Sequence, residues 1–174
     1  MCGIVGYIGS KNAKPILLEG LSKLEYRGYD SAGISTIEKN EISVIKNKGR
    51  VSSLNDIEGI DSLEGHIGIA HTRWATHGKP STANSHPHMD NSKTFSVVHN
   101  GIIENYNDLR KFLSGNGYSF FSETDTEVIP NLIHYYYSKL DCSYEKKFLQ
   151  AVKKACDDLV RKLCLRNNFK RLSR

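Results

Sequence analysis

The sequence lacks the features of a membrane or secreted protein. None of its 174 residues falls in a run of the roughly 18 to 20 apolar residues that a membrane helix needs. The first nine residues read MCGIVGYIG, with no basic group ahead of an apolar stretch, so a secretory leader is not indicated. Repeats, low-complexity tracts and long linkers are also missing. We therefore expect a cytoplasmic protein with no membrane partner.

Cysteine is scarce, and its spacing excludes two common cysteine-based sites. The four positions are Cys2, Cys142, Cys156 and Cys164. They match neither a zinc-ribbon pair nor a redox CxxC motif. In a cytoplasm they are expected to be reduced thiols. The three later cysteines are interpreted as ordinary buried or half-buried side chains, which leaves Cys2 to be explained.

Metal ligands are also poorly represented. His71, His77, His86 and His88 fall within eighteen residues, and the HPH sequence could supply two ligands. No cysteine lies in that span, and the nearest carboxylate is Asp90 beside the last histidine. The sequence therefore predicts no metal site, and no cofactor is expected.

The positive charge is confined to one end of the chain. The formal net charge is +5, but residues 161–174 hold six Lys and Arg and no acid, which leaves 18 basic and 19 acidic residues elsewhere. A near-neutral body argues against a nucleic-acid groove, so no nucleic-acid partner is expected. We expect one domain over residues 1–160, followed by a basic tail of different origin over 161–174.

The hydrophobic pattern predicts an α+β domain. Strands are predicted over CGIVGYI, AGISTI, EISVIKNKG, HIGIAHT and TFSVVHN, with the first of these buried and a turn at Lys39-Asn40. Helical period is found in PILLEGLSKLEYRG, VSSLNDIEGIDSL, IIENYNDLRKFL and residues 125–140 and 144–159. Gly28 is expected to end the first helix in a left-handed conformation. Pro130 marks either a late helix start or a kink.

Cys2 could combine a nucleophile and a base in one residue. If Met1 is removed, Cys2 carries both a thiol and a free α-amine, whose usual pKa of about 7.7 to 8.0 makes it a usable base at neutral pH. An N-terminal amine can activate a neighbouring nucleophile without a separate histidine. A cysteine at the second position is, taken alone, a weak signal.

Three further stretches carry reactive groups, and the first two of them come where predicted strands end. In HTRWATHG, Arg73 could bind a carboxylate or phosphate, or it could be an ordinary surface residue, and Trp74 could form one side of a binding site. In HNGIIENY, Asn100 and Gly101 could form a hairpin turn or a two-donor oxyanion hole. In SETDTEVI, Asp125 could simply cap a helix.

Taken together and in order, these motifs resemble a known family. MCGIVGYIG, LEYRGYDSAG, GIAHTRWATHG, HPH, VVHNGIIENY and SETDTEVI are similar to the glutaminase domain of the glutamine:fructose-6-phosphate amidotransferases. The resemblance runs over residues 1 to about 160. It implies a four-layer α/β/β/α sandwich of the N-terminal-nucleophile hydrolase type, with C-terminal strands of the family pattern missing from this sequence.

The resemblance also implies a role for each site residue. Cys2 would attack the side-chain amide of L-glutamine, Asn100 and Gly101 would stabilise the oxyanion, and the ammonia released would serve the amination of fructose-6-phosphate. Residues that would bind glutamine or lie near the nucleophile are Arg73, Trp74, Thr76, His77, Asp125 and Arg27.

The sequence departs from the family after CDDLV, where RKLCLRNNFKRLSR replaces the expected strand. The family's sugar-isomerase domains are absent from the 174 residues, and a frameshift or premature end near Val160 is the simplest explanation. Two alternatives to an active glutaminase domain follow. One is an inactive remnant of the same gene, and the other is a small binding module that acts through the basic tail.

Overall fold

A four-stranded antiparallel sheet forms the first half of the fold. The computed structural model describes residues 2–75, 78–141 and 143–160. The sheet order is β1-β4-β2-β3, with strands β1 (Gly3–Ile8), β2 (Ser31–Glu38), β3 (Glu41–Lys48) and β4 (Ile67–Arg73). The other elements are β5 (His88–Met89), β6 (Ser96–Val97), α1 (Ala13–Leu24), α2 (Tyr106–Gly115), α3 (Val128–Lys139) and α4 (Tyr144–Asp158).

The β2–β3 hairpin confirms the predicted turn. Lys39 and Asn40 have φ of 49° and 66°, so both central residues are left-handed, as a tight two-residue hairpin turn requires. The prediction that β1 is buried is wrong, because this strand forms an edge of the sheet. Ile4 is 42% exposed and Ile8 is 78% exposed.

Helix α1 covers one face of this sheet. Its Leu17 and Leu21 are fully buried and share a core with Ile34 of β2 and Ala70 of β4. The predicted left-handed stop at Gly28 is wrong, since its φ of 179° is extended. A Cβ on Gly28 would lie only 2.8 Å from the carbonyl carbon of Arg73, so glycine is needed here for close approach to the end of β4.

The opposite face of the sheet looks toward β5–β6 and the late helices. A cavity of about 220 Å³ separates Ile37 and Ile69 of the sheet from Val97, Ile133 and Phe148. A second core joins α2, α3 and α4, with Leu113, Val128 and Leu132 at its centre. The described layers therefore run from α1 through the two sheets to α3 and α4, which agrees with the predicted four-layer fold.

Three predicted elements differ in extent. Residues 51–63 form two short 3-10 turns, Val51–Leu54 and Ile60–Ser62, because Gly59 between them adopts a φ of +89°. The strand expected over TFSVVHN is shorter than predicted, because only Ser96–Val97 forms a strand, β6. Helix α3 begins at Val128, so Pro130 lies in its first turn and marks a late start.

Candidate functional site

A cleft of about 430 Å³ opens beside the end of β4, a size suited to a small molecule. Seven residues put forward from the sequence line it: Cys2, Arg27, Arg73, Trp74, Asn100, Gly101 and Asp125. Thr76 and His77 lie outside the described residues. The cleft also contains residues that the motifs did not assign to substrate: His71, His86, His99, Ile102, Thr124 and Thr126.

The Cys2 thiol lies against the backbone that follows β4. The Trp74 amide donates a hydrogen bond to Cys2 Sγ at 3.2 Å, and the thiol faces the Trp74 carbonyl oxygen at 3.6 Å. The thiol is therefore held by backbone atoms, whose position the β1–β4 ladder fixes by pairing Gly3 with Thr72. Cys2 is only half-buried, so reagents from the cleft can reach it.

Asn100 connects the start of the chain to the middle of the sheet. Its Nδ2 donates to the Cys2 carbonyl oxygen at 3.2 Å, and its Oδ1 lies 2.9 Å from Nε2 of His71. Nδ2 has a second hydrogen that the Cys2 carbonyl does not use, and Asn100 lines the cleft. An amide donor therefore lies beside the sulfur nucleophile.

Gly101 follows Asn100 and has a backbone conformation that residues with a side chain rarely adopt. Its φ is +156°, and a Cβ there would lie 2.8 Å from Nε2 of His99. The predicted helix does not follow directly, since α2 begins only at Tyr106. The Asn100–Gly101 pair is therefore part of an irregular connection and not of a strand-to-helix junction.

Charged groups of both signs line the cleft. Arg73, at the end of β4, is only 4% exposed, and its Nη2 lies 3.5 Å from the Gly78 carbonyl oxygen. Asp125 is 5% exposed, and its Oδ2 accepts a hydrogen bond from the Ile103 amide at 2.7 Å. Asp125 therefore does not cap α3 with its side chain, the commoner role for this residue. Arg27 adds a second guanidinium to the wall.

Three buried imidazoles, His71, His86 and His88, form a stack beside the cleft, and the first two also line it. The His71 and His86 ring centroids are 4.2 Å apart, and those of His86 and His88 are 4.8 Å apart. Burial lowers the pKa of His71 to about 4, the Asn100 hydrogen bond partly opposes this, and the Arg73 charge adds to it. Burial, with repulsion from nearby cationic groups, also lowers the pKa of His86 and of His88 well below the usual range. These rings are therefore neutral at pH 7.

Within the described residues, no group of three or more His, Cys, Asp and Glu side chains could hold a metal ion. In the same part of the chain, no helix combines the length and apolarity needed to cross a bilayer.

A cysteine at the second position, an adjacent Asn-Gly pair and an antiparallel α/β/β/α sandwich together define a class, the N-terminal-nucleophile amidotransferases. Two solved structures share the fold. They are the glutamine phosphoribosylpyrophosphate amidotransferase from B. subtilis, complexed with ADP and GMP, and a structure of the allosteric regulatory enzyme of purine biosynthesis. Their TM-scores are 0.74 and 0.75, at 24% and 23% identity, and each alignment covers 92% of this chain and 33% or 34% of the other.

Sequence comparison shows which amidotransferases this chain is similar to. Residues 71–153 match the glutamine amidotransferase domain family. The isomerizing glutamine–fructose-6-phosphate aminotransferase of Clostridium perfringens is 64% identical over 137 residues, which is 79% of this chain and 22% of that protein. The enzyme of the same name from Staphylococcus aureus is 52% identical over 153 residues, 87% of this chain and 25% of that protein.

The chain therefore carries a glutamine amidotransferase domain that is similar to part of the isomerizing glutamine–fructose-6-phosphate aminotransferases, which confirms the resemblance. It spans about a quarter of the length of these relatives.

Proposed function

We propose that this chain hydrolyses the side-chain amide of L-glutamine through a thioester on Cys2. The observation that carries the proposal is that one cleft brings the Cys2 thiol together with an amide donor, buried Arg73 and buried Asp125. A free α-amino acid is a zwitterion, and a cleft lined by both a guanidinium and a carboxylate matches its two charges.

The charged residues would orient the substrate. Arg73 would bind the α-carboxylate of glutamine in the bidentate manner that guanidinium allows, and Asp125 would bind the α-ammonium. With both charged α-groups held, the side-chain amide at the other end of the molecule extends toward the sulfur. Trp74, 49% exposed, would form a wall, and Arg27 would lie near the nucleophile. The roles of Thr76 and His77 rest on the family resemblance.

The chemistry would follow from Cys2 and its neighbours. After removal of Met1, the α-amine takes the thiol proton while sulfur attacks the amide carbon, and the carbonyl oxygen becomes an oxyanion. Asn100 Nδ2–H and the Gly101 amide donate to that oxyanion. Collapse returns the proton to the leaving nitrogen and releases ammonia. Water then cleaves the thioester, which gives glutamate and the free thiol.

The fate of the ammonia is part of the same proposal. The relatives are named for an amino transfer to fructose-6-phosphate, and we infer that ammonia from this domain would serve that reaction. The domain bounds of 1–160 and a cytoplasmic location belong to this proposal. The comparisons favour the amidotransferase over a binding module built on residues 161–174, which lie outside the described part of the chain.

The test uses Cys2→Ser, with Cys156→Ala as a matched control because Cys156 is a free, exposed thiol on α4. We expect glutamine hydrolysis to fall at least about 1000-fold in the first variant and to stay within about twofold in the second. Intact-mass spectrometry should show one adduct of a diazo-ketone glutamine analogue on methionine-free protein. Equal losses in both variants, or an adduct on Cys156, would contradict the proposal.

A further inference from the structure

We propose that His71 is a positioning residue that fixes the orientation of the Asn100 side-chain amide, so that nitrogen and not oxygen faces the Cys2 nucleophile. The inference rests on the proposed function, because it assigns His71 a part in supplying the oxyanion donor. No motif in the sequence connects these two residues, which are 29 positions apart.

The argument begins with the Cys2 carbonyl, which can only accept a hydrogen bond. The Asn100 group 3.2 Å from that oxygen must therefore be the NH₂ group. The amide oxygen then points the other way, toward Nε2 of His71 at 2.9 Å. Because an amide oxygen can only accept, the His71 Nε2 must carry the proton. One acceptor on Cys2 and one donor on His71 thus select a single amide orientation.

His71 is well placed to hold this orientation. It lies on β4, which pairs with β1 through Ile4 and with β2 through Gly33, and it is 1% exposed. Its ring stacks against His86 with an interplanar angle of 27°. Burial keeps the pKa of His71 at about 4, so the ring is a neutral, single-proton donor at the pH of the cell.

Removing the ring would leave the Cys2 carbonyl oxygen as the one described partner that favours this orientation of the Asn100 amide, so the opposite orientation would become more populated. A rotation of half a turn exchanges the nitrogen for the oxygen, which would place an acceptor beside the developing oxyanion. The consequence is a loss in the chemical step and not in substrate binding, because the α-carboxylate and the α-ammonium are still held by Arg73 and Asp125.

The experiment measures glutamine hydrolysis by the full chain in five forms: wild type, His71→Leu, His71→Gln, Asn100→Ala and the double variant with His71→Leu and Asn100→Ala. We expect His71→Leu to lower kcat about 10- to 100-fold with KM within about threefold. The glutamine variant retains a nitrogen donor and should recover a larger share of kcat. In the Asn100→Ala background, His71→Leu should lower kcat by less than about twofold.

His88→Leu is the matched control. It also removes a buried imidazole from the stack, but the His88 ring bonds to Thr124 and not to Asn100. This variant should have a lower melting temperature than wild type, and its kcat should stay within about threefold of the wild-type value. Equal kcat losses in His71→Leu and His88→Leu, or full additivity with Asn100→Ala, would overturn the inference.

A spectroscopic readout separates this inference from the proposed function. Long-range ¹H–¹⁵N spectra of wild-type protein at pH 7 should show His71 protonated at Nε2 alone. Protonation at Nδ1 would overturn the inference whether or not the chain turns over glutamine. Wild-type protein with no turnover but the expected tautomer would contradict the proposed function and leave the His71–Asn100 geometry supported.

Discussion

At the scale of single residues, Asp125 lines the cleft while one of its carboxylate oxygens is bound to the backbone. Oδ2 accepts the Ile103 amide, which fixes the side chain, while the residue as a whole lines the cleft. A carboxylate held by a backbone donor does not need to reorganise when a cation arrives, which is the benefit of a preorganised site.

The substitution Asp125→Asn keeps an oxygen that can accept from the Ile103 amide but removes the charge. We expect KM for glutamine to rise about 10- to 100-fold, since a hydrogen bond to a charged partner contributes about 1.5 to 3 kcal/mol. The melting temperature should change little, and kcat should fall less than KM rises. Steady-state kinetics and thermal melts measure both quantities.

The control for this prediction is Glu123→Gln. Glu123 is an acid two positions away, and its side chain bonds to Asn84 instead of lining the cleft. Its KM for glutamine should stay within about twofold of wild type. A rise in KM of the same size in both variants would assign the effect to general electrostatics and not to contact with the ammonium.

At the same scale, the motifs could predict which residues line the cleft but not the hydrogen bonds between them. Arg73 and Asn100 could be proposed because their chemistry suits a polar substrate and each follows an apolar stretch. The binding role of Asp125 depends on the family resemblance, because its own motif indicates a helix cap. The bond between His71 and Asn100 could not, since it depends on strand register and on distant loop packing. The HPH sequence is also compatible with metal ligands, whereas the structure buries these rings together with His71, and burial lowers the pKa of all three below the usual range.

At the scale of elements, the segment 81–88 packs against the β2–β3 hairpin, and Gly33 and Lys46 are two of the residues that it contacts. A Cβ on Gly33 would lie 2.1 Å from the His86 carbonyl oxygen, so this backbone is in direct contact with the strand. Lys46 Nζ donates to the carbonyl oxygens of Ser85 at 2.7 Å and Pro87 at 3.1 Å. Burial lowers the pKa of Lys46 to about 8, with Glu127 partly opposing the shift.

The substitution Gly33→Ala should therefore displace this segment and, with it, His86 at the cleft wall. We expect a loss of at least about 2 kcal/mol in the free energy of unfolding, because the clash is with backbone and not with a flexible side chain. Gly6→Ala is the control, since no atom lies within 4 Å of a Cβ at that position of β1. Urea unfolding measures both. Equal stabilities of the two variants would show that the segment does not contact β2 in this way.

Element boundaries show where local sequence reasoning fails. The period of IIENYNDLRKFL predicts a helix from its first residues, yet α2 starts at Tyr106. The backbone ahead of it is bound elsewhere: the Ile103 amide to Asp125, and the Glu104 amide to the Val160 carbonyl oxygen. These partners are distant in sequence, so no local pattern could reveal them. The β2–β3 hairpin, by contrast, depends on its own turn residues and was predicted.

At the scale of the whole molecule, the buried imidazole stack makes stability depend on pH. His71, His86 and His88 stay neutral in the folded chain, and the cations Lys46 and Arg73 oppose their protonation. In the unfolded chain the same rings gain protons near pH 6.5. The unfolded state therefore binds more protons than the folded state as the pH falls below about 7.

It follows that the free energy of unfolding should fall on acidification from pH 7. Each fully buried imidazole adds a slope of up to about 1.4 kcal/mol per pH unit, and for His71 the slope ends near its folded pKa of about 4. Urea unfolding between pH 7 and 5, where carboxyl groups contribute less, measures this slope. His88→Gln should reduce it by up to the contribution of one imidazole, whereas His66→Gln, at an exposed position, should leave it unchanged. If His88→Gln and wild type had the same slope, His88 would have to be protonated equally in both states, which its burial against Thr124 opposes.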